Sequence, residues 1–157
     1  MSTTPDGRLA VDFCGLHFQT PLVLLSGCVG FGEEYTRVAG FSNRDAGAVC
    51  LKGTTGEARL GNPPHRVCET PDGMLNAIGL QNPGAARVVD AILPQLDFTE
   101  TRFIANVSGS TVEEYIEVTR RFDASPIDAI EINISCPNVK EGGVAFGNDP
   151  DMSARVV

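Results

Sequence analysis

The chain has 157 residues, 42% hydrophobic and 20% charged, an ordinary composition for a globular protein with one core. Its net charge of −8 excludes the basic face that nucleic-acid binding needs, and no apolar run reaches the roughly 18 to 20 residues of a membrane span. Met1 to Gly7 has neither a basic segment nor an apolar one, so no secretory signal is read there and residues 1–7 are expected to be a disordered tail. The five scattered cysteines (Cys14, Cys28, Cys50, Cys68, Cys136) fit reduced thiols in a cytoplasmic protein better than a disulfide framework.

In chain order, residues 9–13 and 16–18 alternate around Cys14-Gly15 and predict a small hairpin. Residues 21–25, Pro-Leu-Val-Leu-Leu, form a continuous apolar run, as in a strand buried on both faces. A helix is expected over 32–41, with Tyr35, Val38 and Ala39 on one face. A second buried strand follows over 46–51 and ends at Lys52-Gly53-Thr54-Thr55. Residues 61–73, rich in Pro and Gly, read as an irregular excursion with room for a hairpin. A helix is expected over 83–96, with Pro83 in its first turn and Val89, Ile92 and Leu96 on one face. The third strand is 102–107. A helix then starts at Ser110 or Thr111, with Glu113 and Glu114 in its first turn and a stripe of Val112, Tyr115, Ile116, Thr119 and Phe122. The fourth strand is 129–134, and a last helix begins near Asp149.

Four strand-then-helix units imply a parallel sheet with right-handed crossovers. The fold class is α/β, and the repeat suits a (β/α)8 barrel of about 250 residues, of which this chain would hold the N-terminal half. The alternative is a complete four-stranded doubly wound domain. Against it, residues 26–32 are glycine-rich but lack the Gly-x-Gly-x-x-Gly spacing of a dinucleotide fingerprint.

Each strand ends in groups suited to a ligand: Ser26 and Gly27, then Lys52 and Gly53, then Asn106, then Asn133 followed by Cys136. Ligands of α/β folds bind at that end. Asparagines can read an imide or carboxamide edge, a lysine can stabilise a developing anion, and a cysteine can act as base or nucleophile. Taken singly, Asn76, Asn82, Asn106 and Asn138 can be turn or cap residues, Lys52 a solvated strand end and Cys136 an inert thiol. Their joint appearance at successive strand ends favours a site. His65 and Cys68 have a metal-compatible spacing, but no second pair completes a set.

Residues 26–34, 52–55, 61–64, 74–84, 104–110 and 133–147 together resemble the flavin-binding catalytic subunit of class 1 dihydroorotate dehydrogenases. Two blocks carry most of the resemblance: Asn-Ala-Ile-Gly-Leu-Gln-Asn-Pro-Gly at 76–84 and Asn-Ile-Ser-Cys-Pro-Asn-Val-Lys-Glu-Gly-Gly at 133–143. The continuation of the second block looks like class 1B. Leu24-Leu25 stand where relatives often have Pro-Ala. The resemblance implies a TIM barrel domain of which residues 8–157 are the N-terminal half, and oxidation of dihydroorotate to orotate in pyrimidine biosynthesis. It implies FMN as cofactor, and a partner subunit carrying FAD and a [2Fe-2S] cluster that passes electrons to NAD. A homodimer within a heterotetramer is implied as well.

By position, Cys136 would be the base and Lys52 would contact both flavin and substrate. Ser26, Lys52, Gly53, Asn106 and Asn133 would line FMN. Asn76, Ala77, Ile78, Gly79, Leu80, Asn133 and Asn138 would hold the substrate, and the loop after Cys136 would act as a lid. No metal ligand is implied. Phosphate-binding loops and a further flavin lysine would belong to the other half, so the chain alone is expected to be inactive and its bare strand edges prone to aggregation. Two other readings stand: another FMN barrel acting on a pyrimidine, as in dihydropyrimidine dehydrogenase, and a non-catalytic truncated remnant.

Overall fold

A computed structural model describes residues 7–136 and 143–157. The lid segment and Asn138 lie outside the described residues, as do the first six residues of the expected tail. Gly7–Leu9 is a short 3-10 turn. Two strands, β1 (Val11–Phe13) and β2 (Leu16–Phe18), form the expected antiparallel hairpin. Cys14 and Gly15 both have positive φ, 51° and 77°, which suits the tight turn between them.

The centre is a parallel sheet of β3 (Val23–Leu24), β4 (Ala48–Cys50), β7 (Arg102–Val107) and β8 (Ala129–Ile132), in the order β3-β4-β7-β8. Between β4 and β7 runs a second hairpin, β5 (Val67–Thr70) and β6 (Gly73–Asn76), which realises the expected excursion. The register sets Val49 opposite Phe103 and Asn106 opposite Glu131. Alternation along β7 sends Phe103, Ala105 and Val107, all fully buried, to the helix side. There they pack with Val49, Leu51, Val88, Leu93, Val118 and Phe122. Arg102, Ile104 and Asn106 project from the other face, the one that becomes a barrel's interior.

Helix α2 (Val112–Asp123) is capped by Thr111, whose side chain accepts from the Glu114 amide at 3.2 Å. Its buried stripe is Tyr115, Val118 and Phe122. Ile116, expected in that stripe, is exposed, and Val118 takes its place. Near the C-terminus, α3 (Val144–Gly147) precedes α4 (Pro150–Val156), which is capped by Asp149, near where a helix was expected to begin.

Three expectations are corrected. No helix spans 32–41: the chain makes one 3-10 turn at Tyr35–Arg37 and another at Asn43–Asp45. Gly32 and Gly40 take φ of 89° and 87°, outside helical space, and Tyr35 and Val38 stay exposed, so no apolar face rewards a helix. The segment expected over 83–96 is helical but irregular: α1 (Ala85–Arg87), a π turn at Val88–Ile92 and a 3-10 turn at Leu93–Gln95. Pro83 lies before the N-cap, Gly84, while Pro94 lacks the N–H that would continue the α pattern. The first strand is two residues long, and Leu22 and Leu25 beside it are 63% and 62% exposed rather than buried on both faces. Among the described residues it lies at the edge of the sheet, paired with β4 alone.

Candidate active site

The four parallel strands end on one side of the sheet, and their last residues enclose a cleft of about 520 Å³. Ser26 and Gly27 come from the end of β3, Lys52 and Gly53 from β4, Asn106 from β7, and Asn133 and Cys136 from the chain leaving β8. Leu80 reaches the cleft from the loop after β6, and Leu25, Ile132 and Ile134 supply apolar wall.

Backbone pairing continues past each strand and fixes these positions. The Thr54 amide donates to the Asn106 carbonyl at 2.9 Å, Ser108 N–H to Thr54 at 2.8 Å, and Asn133 N–H to Val107 at 2.8 Å. Glu114 joins two of the loops: its carboxylate accepts from the amides of Gly56 at 3.1 Å and Ser110 at 2.7 Å. Gly53 is pressed against the site. A Cβ there would fall 2.8 Å from Asn106 Oδ1 and 3.0 Å from Leu80 Cδ1. Gly27 passes close to the ammonium of Lys52, so that a Cβ on it would lie 3.5 Å from Nζ.

The cleft therefore gathers Ser26, Lys52, Gly53, Leu80, Asn106, Asn133 and Cys136. Asn76, Ala77, Ile78 and Gly79 are not among its lining residues. Asn76 and Ala77 are exposed at the end of the second hairpin. The carbonyls of Ala77 and Ile78 are held by Asn62, through its side chain at 2.8 Å and its amide at 2.9 Å. Leu80 turns back to the sheet with φ of 57°, next to Gly79 at 75°. Asn82 braces that turn: Oδ1 accepts from the amides of Thr55 and Gly84 while Nδ2 donates to the Leu80 carbonyl and to Thr55 Oγ1.

Sequence reasoning missed four groups here. Glu131 lies in the cleft, its carboxylate accepting from Cys50 Sγ at 3.2 Å and from Asn106 Nδ2 at 2.5 Å. Period-two alternation back from Asn133 would have placed it on this face. Burial pushes the Cys50 thiol up to about 12, and the Glu131 carboxylate adds to the shift. Ser108 is 2% exposed, and its hydroxyl has no partner among the described residues. Tyr115, read only as an apolar stripe residue, donates its hydroxyl to the Asn133 carbonyl at 2.6 Å. Burial raises its pKa, the amides of Gly109 and Gly143 oppose the rise, and the charges of Glu114 and Cys136 add to it. Among the described residues no three His, Cys, Asp or Glu side chains converge on a metal position.

The donor set suits a planar heteroaromatic ring. Amides face its polar edge, a lysine supplies a cation, apolar walls cover its plane, and a glycine allows close approach.

A parallel sheet with helices on one face and a ligand cleft at its strand ends defines the class: this is part of a (β/α) barrel protein. Residues 8–157 match the family model for dihydroorotate dehydrogenase, and the chain belongs to that family. The catalytic subunit of dihydroorotate dehydrogenase B (NAD(+)) from Bacillus caldolyticus is 53% identical over 150 residues, which cover 95% of this chain and 47% of that protein. Its counterpart from Listeria monocytogenes is 51% identical, over 95% of this chain and 49% of that protein. The chain thus spans about half the length of these relatives. In fold it resembles the crystal structure of DHODH in complex with ferulenol from Eimeria tenella, with a TM-score of 0.73 at 21% identity, over 97% of this chain and 42% of that one. The half-barrel expectation is borne out. Among the described residues no helix is long and apolar enough to cross a membrane.

Proposed function

We propose that residues 8–157 are the N-terminal half of a barrel domain that oxidises dihydroorotate to orotate. The carrying observation is that Lys52, Asn106, Asn133 and Cys136, from three different strand ends, line one cleft. Cys136 is partly exposed there and free. As base, its thiolate removes the C5 proton of dihydroorotate, and the charge that develops on the adjacent carbonyl needs a cation or donor held in place. Lys52 supplies that cation. Asn106 and Asn133, with Ser26 and the open face of Gly53, would hold FMN, and FMN when bound would accept the hydride from C6. Asn76, Ala77, Ile78 and Gly79 would join Leu80 in substrate binding once a ligand draws them in, and Asn138 would complete the set.

Proteins more than half identical to this one are called catalytic subunits of an NAD(+) enzyme. On that basis we assign electron delivery to NAD through a partner subunit with FAD and a [2Fe-2S] cluster, in a cytoplasmic heterotetramer built on a homodimer. The 157-residue chain alone does not turn over, because half of the barrel wall of its relatives is not in it.

The test is a visible absorbance spectrum after FMN incubation and desalting, on this chain and on a chain of the relatives' full length, followed by dihydroorotate oxidation by each. Flavin retention and orotate formation by the long chain only is the expected result. Orotate formation by the short chain would overturn its assigned inactivity. A long chain that reduces uracil but ignores dihydroorotate would move the assignment to another pyrimidine.

A further inference from the structure

Glu131 stands at the end of a hydrogen-bond relay with one direction only. An ionised carboxylate accepts and cannot donate. The Asn106 atom that faces Glu131 Oε1 must therefore be Nδ2, and the contact is short at 2.5 Å. That choice turns Asn106 Oδ1 away from Glu131 and toward Asn133, which must answer with its own Nδ2, at 3.0 Å. Asn133 Oδ1 is then left to accept, and it takes the Ser135 amide at 3.3 Å. The Cys50 thiol donates to the same carboxylate oxygen from below at 3.2 Å. Each Asn side chain has two N–H groups, and the relay uses one of each.

We propose that Glu131 is a positioning residue that fixes the amide orientation of Asn106 and, through it, of Asn133. The cleft thereby keeps the remaining N–H of Asn133 available to acceptor atoms of its ligand, while the Asn106 amide also lies within hydrogen-bond reach of the Cys50 sulfur. The ligand class is a planar ring with carbonyl or imine acceptors along one edge. The orientation follows from the relay alone; that its beneficiary is FMN rests on the function proposed above.

What Glu131 supplies in this role is an acceptor, so a neutral acceptor of the same size substitutes for it. Glu131→Gln can present its carbonyl to Asn106 and keep the relay. Glu131→Met fills the same space and offers nothing, so Asn106 can turn over. Two readouts separate the possibilities. In a chain of the relatives' full length, before FMN is added, Asn-selective 15N labelling follows the side-chain amides: one Asn106 proton should exchange slowly in the wild type and in Glu131→Gln, and rapidly in Glu131→Met. In a chain of the relatives' full length, FMN titration should show affinity within about threefold of wild type for Glu131→Gln and about tenfold weaker for Glu131→Met, one hydrogen bond's worth.

Equal losses in both variants would mean that charge, not orientation, is what Glu131 provides, and would overturn the proposal. Unmoved amide signals in Glu131→Met would overturn it as well. If Glu131→Met does not fold, the wild type decides, because an Asn106 amide exchanging as fast as a free side chain has no lock. If the long wild-type chain takes up no FMN, the flavin reading fails, and the amide signals still decide on Glu131.

Discussion

The Tyr115 hydroxyl donates to the Asn133 carbonyl at 2.6 Å and so ties α2 to the point where the chain leaves β8. Three residues later comes Cys136. The helix packed on the sheet's outer face thus reaches over its end and fixes the backbone that carries the proposed base. Tyr115 is 2% exposed, and this burial raises the pKa of its hydroxyl.

Replacing Cys136 with Ser in the full-length enzyme should slow flavin reduction by dihydroorotate about 10²- to 10⁴-fold at neutral pH, the usual contribution of a positioned base. A serine hydroxyl gives up its proton far less readily than a thiol. Stopped-flow absorbance of the flavin measures this directly, and wild-type rates in the variant would remove Cys136 from the mechanism.

Cys50 should make stability fall at high pH. Its folded pKa, about 12, is raised from an ordinary 9.0, so the fold favours the protonated thiol. That contribution is complete below pH 9 and is lost as pH rises toward 12. Urea midpoints across this window should fall more steeply for the wild type than for Cys50→Ala. Identical slopes would show that the thiol does not ionise differently in the folded state. At pH 8, an alkylating reagent should modify the exposed Cys14, Cys28 and Cys68 well before Cys50.

Ser108→Ala should be neutral or stabilising by up to about 1 kcal/mol, because the hydroxyl it removes is buried without a partner. Chemical denaturation settles it. A loss above about 1 kcal/mol would mean that the hydroxyl bonds to something beyond the described residues.

Asn82→Ala should cost about 2 to 4 kcal/mol, since it strands several buried groups of Thr55, Leu80 and Gly84 that this one side chain satisfies. The same substitution frees the turn that delivers Leu80 to the cleft, so FMN affinity in the long chain should fall with stability. Unchanged denaturation would show that the network is not needed.

Much of this architecture was legible because it rests on strong local signals. Apolar runs closed by Lys-Gly and by Ser-Gly-Ser marked β4 and β7 to within two residues, and Thr111 with Glu113 and Glu114 marked the start of α2. Polar residues just past those strands converge because parallel strands all end on one side. Other features were hidden by tertiary context. The run at 21–25 reads as a fully covered strand, yet coverage depends on neighbours, and among the described residues β3 has one. Periodicity at 32–41 and 83–96 could not register how far positive-φ glycines and Pro94 disturb a helix. Glu131 was missed because a lone glutamate looks like an ordinary solvated charge; alternation from Asn133 gives its face, and only the register gives its partner, Asn106.

Gly53 deserves a use in the laboratory that follows from its contacts alone. A single methyl group there would collide with Asn106 Oδ1 at 2.8 Å. Charge, acidity and the candidate base would all be left as they are. Gly53→Ala is therefore a blocking substitution: it presses on Asn106 and Leu80 inside the cleft while leaving Lys52 and Cys136 as they are. Compared with Cys136→Ser, it separates failure to admit a ligand from failure to transform one.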